Sequence, residues 1–412
     1  MIYDAIIIGG GASGLYLAAQ LPNQRVLILE KNTRLGLKLL ISGNGQCNLT
    51  HGGPIAGFKS HYGGHWKFVK HALNRHTNQQ VLEKFGKMGV ETIEREDGKI
   101  FPVSMRSKDV LNALVTSIKS YDQTEIKTGV QVLSITENNL GFSVGVKGES
   151  FTTKSVVLAT GGYTYPKLGT TGDGYLMADK LGHEIVAPKP ALAAVYIKSD
   201  ALKELQGLVI REMSCTIERQ KKRIYSFSGD ILCTHFGLSG PGILDHSRYI
   251  EKGDVLKLNW AGIEADKLNH IILEVIASHG RNPLSFLMNQ LNLPDRVKQF
   301  VLKEVQLNGL MKLAELTKEN RKKIVDALTG YEVRINRLSD LNEAMVTSGG
   351  VGLRQINPKT MMSKIINGLY FVGEVMDVDG DTGGYNLQWA FASAYVAAEQ
   401  IKQLDGEDAY AK

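Results

Sequence analysis

The stretch from Ile2 to Glu30, IYDAIIIGGGASGLYLAAQLPNQRVLILE, restricts the fold more than any other. An apolar run, Ala5 to Ile8, enters Gly9-Gly10-Gly11-Ala12-Ser13-Gly14. A helical pattern follows to Gln20, and a second apolar run, Val26 to Leu29, stops on Glu30. This order predicts a βαβ unit carrying GxGxxG. Gly9 permits the tight turn, Gly11 lets the backbone approach a pyrophosphate, and Gly14 lets helix and sheet pack closely. The start of the helix adds unpaired N–H groups and the positive end of its dipole. Glu30 sits where a carboxylate accepts both hydroxyls of an adenosine ribose. Such an acid disfavours a 2′-phosphate, so FAD or NAD is expected rather than NADP. A glycine-rich turn alone is weak evidence, because plain structural turns share it; strand, helix and terminal acid together are specific.

At 412 residues the chain exceeds one ordinary core, and two or three domains are expected. A hydrophobic content of 43% with 22% charged residues describes a folded globular protein and excludes a disordered one. The net charge of +6 suits an anionic ligand or nucleic acid without choosing between them. Cys47, Cys215 and Cys233 lack CxxC spacing, so no disulfide framework, dithiol relay or zinc site is indicated. Met1 and Ile2 run directly into the first strand, and no apolar stretch approaches the ~18 residues of a membrane span. A cytoplasmic, reducing location is the expectation.

Lys31 to His51, KNTRLGLKLLISGNGQCNLTH, is dense in glycine and reads as an irregular, close-fitting loop near the dinucleotide rather than a helix. Helical spacing marks Trp66 to Met88 and Asp109 to Ile118, and period-two patterns mark strands from Glu125 to Ala159. After Pro188 and Pro190 strands dominate, residues 264 to 328 are helical in composition, and Tyr331 to Leu341 is β-like again. GLYFVG (Gly368 to Gly373) reads as a buried strand and Tyr385 to Gln403 as a helix. The fold class is therefore α/β. The simplest division is a nucleotide-binding domain from both ends of the chain, 1–187 and 355–412. An inserted β-rich domain covers 188–262 and 330–354, and a helical domain covers 263–329.

Two further segments bear on the cofactor. Val156 to Gly162 is a strand ending in glycines. Gly368 to Gln388, GLYFVGEVMDVDGDTGGYNLQ, ends a strand at Gly373, passes four acids and reaches Gly383-Gly384 before a helix. The acids suggest calcium, but the closing Glu of an EF-hand is missing, so no metal is expected. A second helix start aimed at an anion-stabilising position is the better account.

GLKLLISGNGQCNLTH, ATGGYTYPKLGTTGDGY, CTHFGLSGP, TSGGV and GLYFVGEVMDVDGDTGGYNLQWAFASA resemble, in order, the signature segments of the BaiN/YhiN-like FAD-dependent oxidoreductases, relatives of aminoacetone oxidase. The resemblance runs from Ile2 to about Ile401. It implies a glutathione-reductase-type, Rossmann-like FAD domain, split in sequence, with an inserted β-barrel-like domain and a helical cap. It would place Gly9, Gly11, Ala12, Ser13, Gly14, Glu30 and Lys31 on the ADP half of FAD and Val130 near the adenine. Lys38, Ser42, Gly43, Asn44, Cys47 and Asn48 would lie towards the ribityl and flavin. Thr160, Gly161, Gly373, Asp377, Gly384, Asn386, Leu387 and Gln388 would complete the shell. The family's GRK is Gly36-Leu37-Lys38 here, and its GGGRCN is Gly43-Asn44-Gly45-Gln46-Cys47-Asn48, so two arginines are absent near the expected flavin. Cys233 also replaces the first residue of FTHxGLSGP.

A flavin carries its own redox chemistry, so the protein need only position a substrate and supply a proton. Cys47, in the loop expected to pass the flavin, is one candidate acid, against the common case of a cysteine kept for packing. His235, beside the glycine-rich FGLSGPG turn, is another, against a loop histidine satisfied by backbone. Only one dinucleotide fingerprint is present, so NAD(P)H as reductant would dock transiently; oxygen as acceptor stays open. The resemblance offers two substrate classes: small molecules with an activated C=C bond or an amine, and a uridine of ribosomal RNA reduced to dihydrouridine. Arg219, Lys221, Lys222 and Arg223 crowd a hairpin tip. Residues 281–325 hold nine Lys/Arg against four Asp/Glu, a balance of +5, ending in Arg321-Lys322-Lys323. Such tips could hold RNA phosphates, although charge runs are usually solvated faces. A non-catalytic flavoprotein acting as an interaction module is the remaining reading.

Overall fold

The strand Ile2–Ile8 lies between two parallel neighbours, Val26–Glu30 and Glu149–Leu158, and is covered on both faces. Its residues Ala5, Ile6 and Ile7 are therefore all buried instead of alternating, as parallel sheets require. The computed structural model describes residues 1–410. It divides into one unit of Met1–Ala191 with Leu341–Lys412 and another of Leu192–Asp340; the last two residues of the expected 355–412 segment lie outside the described residues.

In the first unit a seven-stranded sheet is built around Glu149–Leu158. The C-terminal half of this strand pairs in parallel with Ile2–Ile8 and with Leu369–Phe371, while its N-terminal half joins the antiparallel strands Gly141–Val146 and Val132–Asn138. Thr124–Thr128 flanks Val26–Glu30 on the other side. Register aligns the strand ends: Ile8 faces Leu29 and Leu158, and Leu158 faces Phe371. The chain segments that leave these strands thus gather at one carboxyl edge of the sheet, where open α/β folds bind ligands. The helix Ala12–Ala18 and the long helix Tyr385–Tyr410 cover the sheet, with Tyr16 and Phe391 packed at 4.7 Å in the core.

Two local readings change. Trp66 to Met88 is two helices, Trp66–Arg75 and Asn78–Lys87, because Thr77 and Gln80 form a capping box that starts a new helix. The glycine-rich segment after Glu30 is not wholly irregular: LKLLI (Leu37–Ile41) makes a short helix, and Thr50–His51 pairs with Lys99–Pro102.

The second unit holds a closed six-stranded barrel of Val195–Ile197, Gly237–Ser239, Lys222–Cys233, Val209–Arg219, Val255–Asn259 and Tyr331–Leu338. Its long hairpin turns through Gln220 and Lys221, both with positive φ, the two-residue geometry that matches strand twist. The helices Ala265–His279, Leu284–Gln290, Asp295–Glu304 and Lys318–Thr329 pack in this same unit, and their Leu268, Ile272 and Ile324 share one buried core with barrel residues such as Leu256 and Val333. Val346–Val351, within the 330–354 segment assigned to the barrel by sequence, pairs instead with Ile185–Ala191 in the first unit. Among the described residues no helix is long and apolar enough to cross a membrane.

Candidate functional site

The glycines of the first turn serve different ends. A Cβ on Gly9 would meet the Ala159 carbonyl oxygen at 2.4 Å, and one on Gly14 would meet the Gly9 oxygen at 2.0 Å. Both are required by protein packing. A Cβ on Gly11 would meet nothing within 4 Å. That space lies over the first turn of Ala12–Ala18, whose N–H groups lack intrahelical acceptors. An open concavity lined by backbone donors fits a pyrophosphate.

Glu30, nearly buried, fixes this loop. Its Oε2 accepts from the Gly10 N–H and its Oε1 from the backbone and side chain of Asn32, each at 2.8 Å. A carboxylate has about four lone-pair sites, so capacity remains for ribose hydroxyls. Val130 donates its N–H to the Glu30 carbonyl at 2.9 Å, which brings the expected adenine-side residue to the same corner. Lys31 does not point a free charge at this corner: its Nζ contacts Asp173 at 2.6 Å and Thr171 at 2.5 Å.

The C-terminal segment meets the glycine turn directly. A Cβ on Gly373 (φ +73°) would lie 2.8 Å from Ser13 Oγ. The Gly373 N–H donates to Ser393, and Trp389 donates to its carbonyl. Thr160 and Gly161 follow the central strand at the same edge. Asp377 accepts from the Gly349 N–H at 3.0 Å. Asn386 and Gly380 bond reciprocally at 2.8 Å, closing the acidic loop before the helix; Leu387 is partly buried against the core. Gly384 presses on Thr50, where a Cβ would come within 2.6 Å of backbone atoms. With its amide oxygen turned to the Gly384 N–H (3.1 Å), Asn48 donates to the Thr50 carbonyl. Gln388 is fully buried, accepting from Thr50 Oγ1 at 2.8 Å and donating to the His76 carbonyl at 3.0 Å. Its amide joins the helix to its surroundings through both its oxygen and its nitrogen.

Lys38 ties the short helix to the C-terminal loop: its Nζ lies 2.7 Å from Glu374 and 2.6 Å from Thr164 Oγ1. Ser42 donates to the Leu39 carbonyl, and Cys47 bonds back to the Ser42 carbonyl through its N–H. Gly43 and Asn44 are exposed, both at φ +55°. The Cys47 thiol is fully buried, and burial pushes its pKa up to about 12 despite a hydrogen bond involving Ser42. This is the environment of a packing cysteine, because a reactive thiol needs exposure and a lowered pKa.

His235 belongs to the second unit; it is exposed and stands edge-on to Phe236 at 5.0 Å. The seven expected RNA-binding cations are not equivalent. Arg219 makes a forked pair with Asp254, 2% exposed, at 2.9 Å and a further pair with Glu251. Arg321 donates to Asn269, and Lys323 pairs with Glu319. Lys221, Lys222, Arg223 and Lys322 are exposed and form no ion pair among the described residues.

A further group of side chains, brought together only by the fold, flanks the start of the long helix. The Tyr385 ring stacks on His61 at 4.1 Å with His51 5.2 Å away, the two histidines being 6.4 Å apart, and His61 Nδ1 is 3.0 Å from Asp381 Oδ2. No local pattern marks it, because 320 residues separate His61 from Asp381.

The chain is 31% identical to a protein of Escherichia coli (strain K12) named ribosomal RNA dihydrouridine synthase, over 97% of this chain and 98% of that one. It is 29% identical to a Clostridium scindens protein named 3-dehydro-bile acid delta(4,6)-reductase, over 95% and 97%. Among solved structures, E. coli quinol fumarate reductase superposes with a TM-score of 0.50 at 16% identity, over 98% of this chain and 70% of that one, a likeness of fold. The model of the HI0933-like protein Rossmann domain matches residues 3–400, and with the strand-edge dinucleotide cradle described above the chain belongs to that family.

Proposed function

We propose that this FAD-dependent oxidoreductase reduces the activated C=C bond of a uridine in ribosomal RNA to give dihydrouridine, with NAD(P)H as electron donor. The observation that carries the reading is the end-to-end likeness to the E. coli protein of that name, covering both units. The unpaired cations at the exposed hairpin tip, Lys221, Lys222 and Arg223, support a polyanionic partner. An RNA substrate also suits a cytoplasmic location.

Gly9 to Gly14 would hold the pyrophosphate of FAD, Glu30 and Val130 the adenosine, and Ser42 to Asn48 the ribityl and flavin side. Thr160, Gly161, Gly373, Asp377, Gly384, Asn386 and Leu387 would close the shell, while Lys31, Lys38 and Gln388 would act by tying these segments together. Bound FAD supplies hydride chemistry. The protein's part is to hold a flipped base, exclude water and deliver a proton. For that proton His235 is a better candidate than Cys47, because it is solvent-exposed whereas the thiol is sealed in the core.

The second reading is reduction of a C=C bond in a small molecule, favoured by the likeness to the C. scindens reductase. Nucleoside mass spectrometry of ribosomal RNA from a deletion strain separates the two. Loss of dihydrouridine, restored by the purified yellow protein with NAD(P)H, is expected; unchanged dihydrouridine would leave the small-molecule reading.

A further inference from the structure

Three residues other than glycine hold left-handed backbone around one short loop: Asn44 (φ +55°), Cys47 (φ +61°) and Met105 (φ +51°). Such strain is characteristic of positions whose geometry serves a ligand. Arg95 reaches this loop from the turn between the strands Thr92–Glu94 and Lys99–Pro102. Its guanidinium carbon lies 4.0 Å from the centroid of the Phe101 ring. One terminal nitrogen donates to Gln46 Oε1 at 2.7 Å and lies 3.6 Å from Met105 Sδ. The same ring backs Gly43, where a Cβ would come within 3.3 Å of it.

The cation is thus held in place without being neutralised. Arg95 is exposed and makes no ion pair among the described residues; the neighbouring Asp97 is paired with Lys99 at 2.7 Å, and Arg95 is only a minor influence on it. A guanidinium stacked on a ring and anchored through one nitrogen presents its remaining donors in fixed geometry, which suits an oxyanion. Gln46 occupies the motif position where the resembling family carries an arginine, and here Arg95 brings a guanidinium to the end of that side chain.

We infer that Arg95, carried by Gln46 and Phe101, is the substrate-contacting cation of this site and binds a phosphate or carboxylate of the molecule being reduced. This rests on the reading that Gly43 to Asn48 borders the flavin.

The test uses the FAD-loaded full chain and two probe pairs, uridine 5′-monophosphate against uridine and cinnamate against cinnamamide. Binding is followed by calorimetry and by perturbation of the flavin absorbance. The wild type should prefer the anion in at least one pair, the nucleotide pair marking a phosphate source and the other a carboxylate. Arg95→Ala should lose that preference by about tenfold or more, since a charge-assisted contact is removed. Arg95→Lys should keep part of it. The exchange Arg95→Gln with Gln46→Arg should recover most of it, which a purely structural role for Arg95 does not predict. No anion preference in either pair, or a preference that survives Arg95→Ala, overturns the inference. A preference lost in Arg95→Ala without any response of the flavin spectrum keeps the anion site and refutes the loop's place beside the flavin.

Discussion

At the scale of single residues, two glycines of one turn should respond oppositely to the same substitution. Gly14→Ala drives a methyl into the Gly9 carbonyl, 2.0 Å away, and backbone must move. Overpacking of this kind costs about 1–3 kcal/mol, and urea unfolding of the FAD-free protein should register it. Gly11 has extended backbone (φ −87°, ψ −168°) and open space, so Gly11→Ala should leave that unfolding within about 0.5 kcal/mol of wild type. Its loss should appear as weaker FAD binding alone. A stability loss in Gly11→Ala would show that the space is not kept for a ligand. His76 supplies a pH test. It lies buried between the Tyr16 hydroxyl, 2.6 Å from its Nε2, and the Tyr395 ring at 4.1 Å, and burial pulls its pKa down to about 4 from 6.5. Between those values the unfolded chain binds a proton that the folded chain refuses. The stabilising contribution is therefore whole above pH 6.5 and is lost as pH falls towards 4, by an amount on the order of 2–3 kcal/mol. His76→Gln should flatten the urea midpoint between pH 7 and 4.5; a midpoint curve parallel to wild type would assign the acid loss elsewhere.

Among elements, the hairpin Val209–Arg219 with Lys222–Cys233 carries the most direct prediction. Arg219 anchors its end to the buried Asp254, so the turn is fixed while Lys221, Lys222 and Arg223 stay exposed. Replacing those three by Ser should weaken binding of a ribosomal RNA fragment and lower the salt slope by about 2–3, each lost phosphate contact removing roughly 0.9 or slightly less. FAD content should not change. An unaltered slope would mean that the tip is a solvated end. The hairpin itself was legible in the sequence because alternation and a polar turn define it locally. The helix Leu37–Ile41 was not, since Gly36 and Gly43 on either side read as loop punctuation and the apolar LKLLI is too short for a periodicity. Its place depends on Lys38 reaching Glu374, 336 residues away. For the same reason the Arg95 to Gln46 bond, spanning 49 residues, left no local trace. The residues of the first βαβ unit were legible because strand, turn and acid are all specified within one short stretch.

For the whole molecule, the sequence indicated a split nucleotide-binding domain with β-rich and helical material between its halves, because texture changes at prolines and returns to a buried strand at Gly368. It did not indicate that barrel and helices share one body, which depends on contacts between distant elements, such as Phe300 of the helix Asp295–Glu304 against Tyr331 of the barrel strand Tyr331–Leu338 at 5.3 Å. That body has a separate buried core, and its ends meet: the Ser339 N–H donates to the Ala194 carbonyl at 2.8 Å. An insert whose termini adjoin and whose core is self-contained meets the requirements of an independently folding domain. Residues 192–340 expressed alone should therefore unfold cooperatively in urea and keep the near-ultraviolet signal of Trp260, which is 4% exposed in the intact chain. In the full protein, FAD at about 100 times its dissociation constant should raise the stability of the other unit by about 2.7 kcal/mol. The insert's transition should then stay where the isolated fragment places it. A fragment that unfolds without cooperativity, or a single transition that moves as a whole with FAD, would show instead that the two units depend on each other to fold.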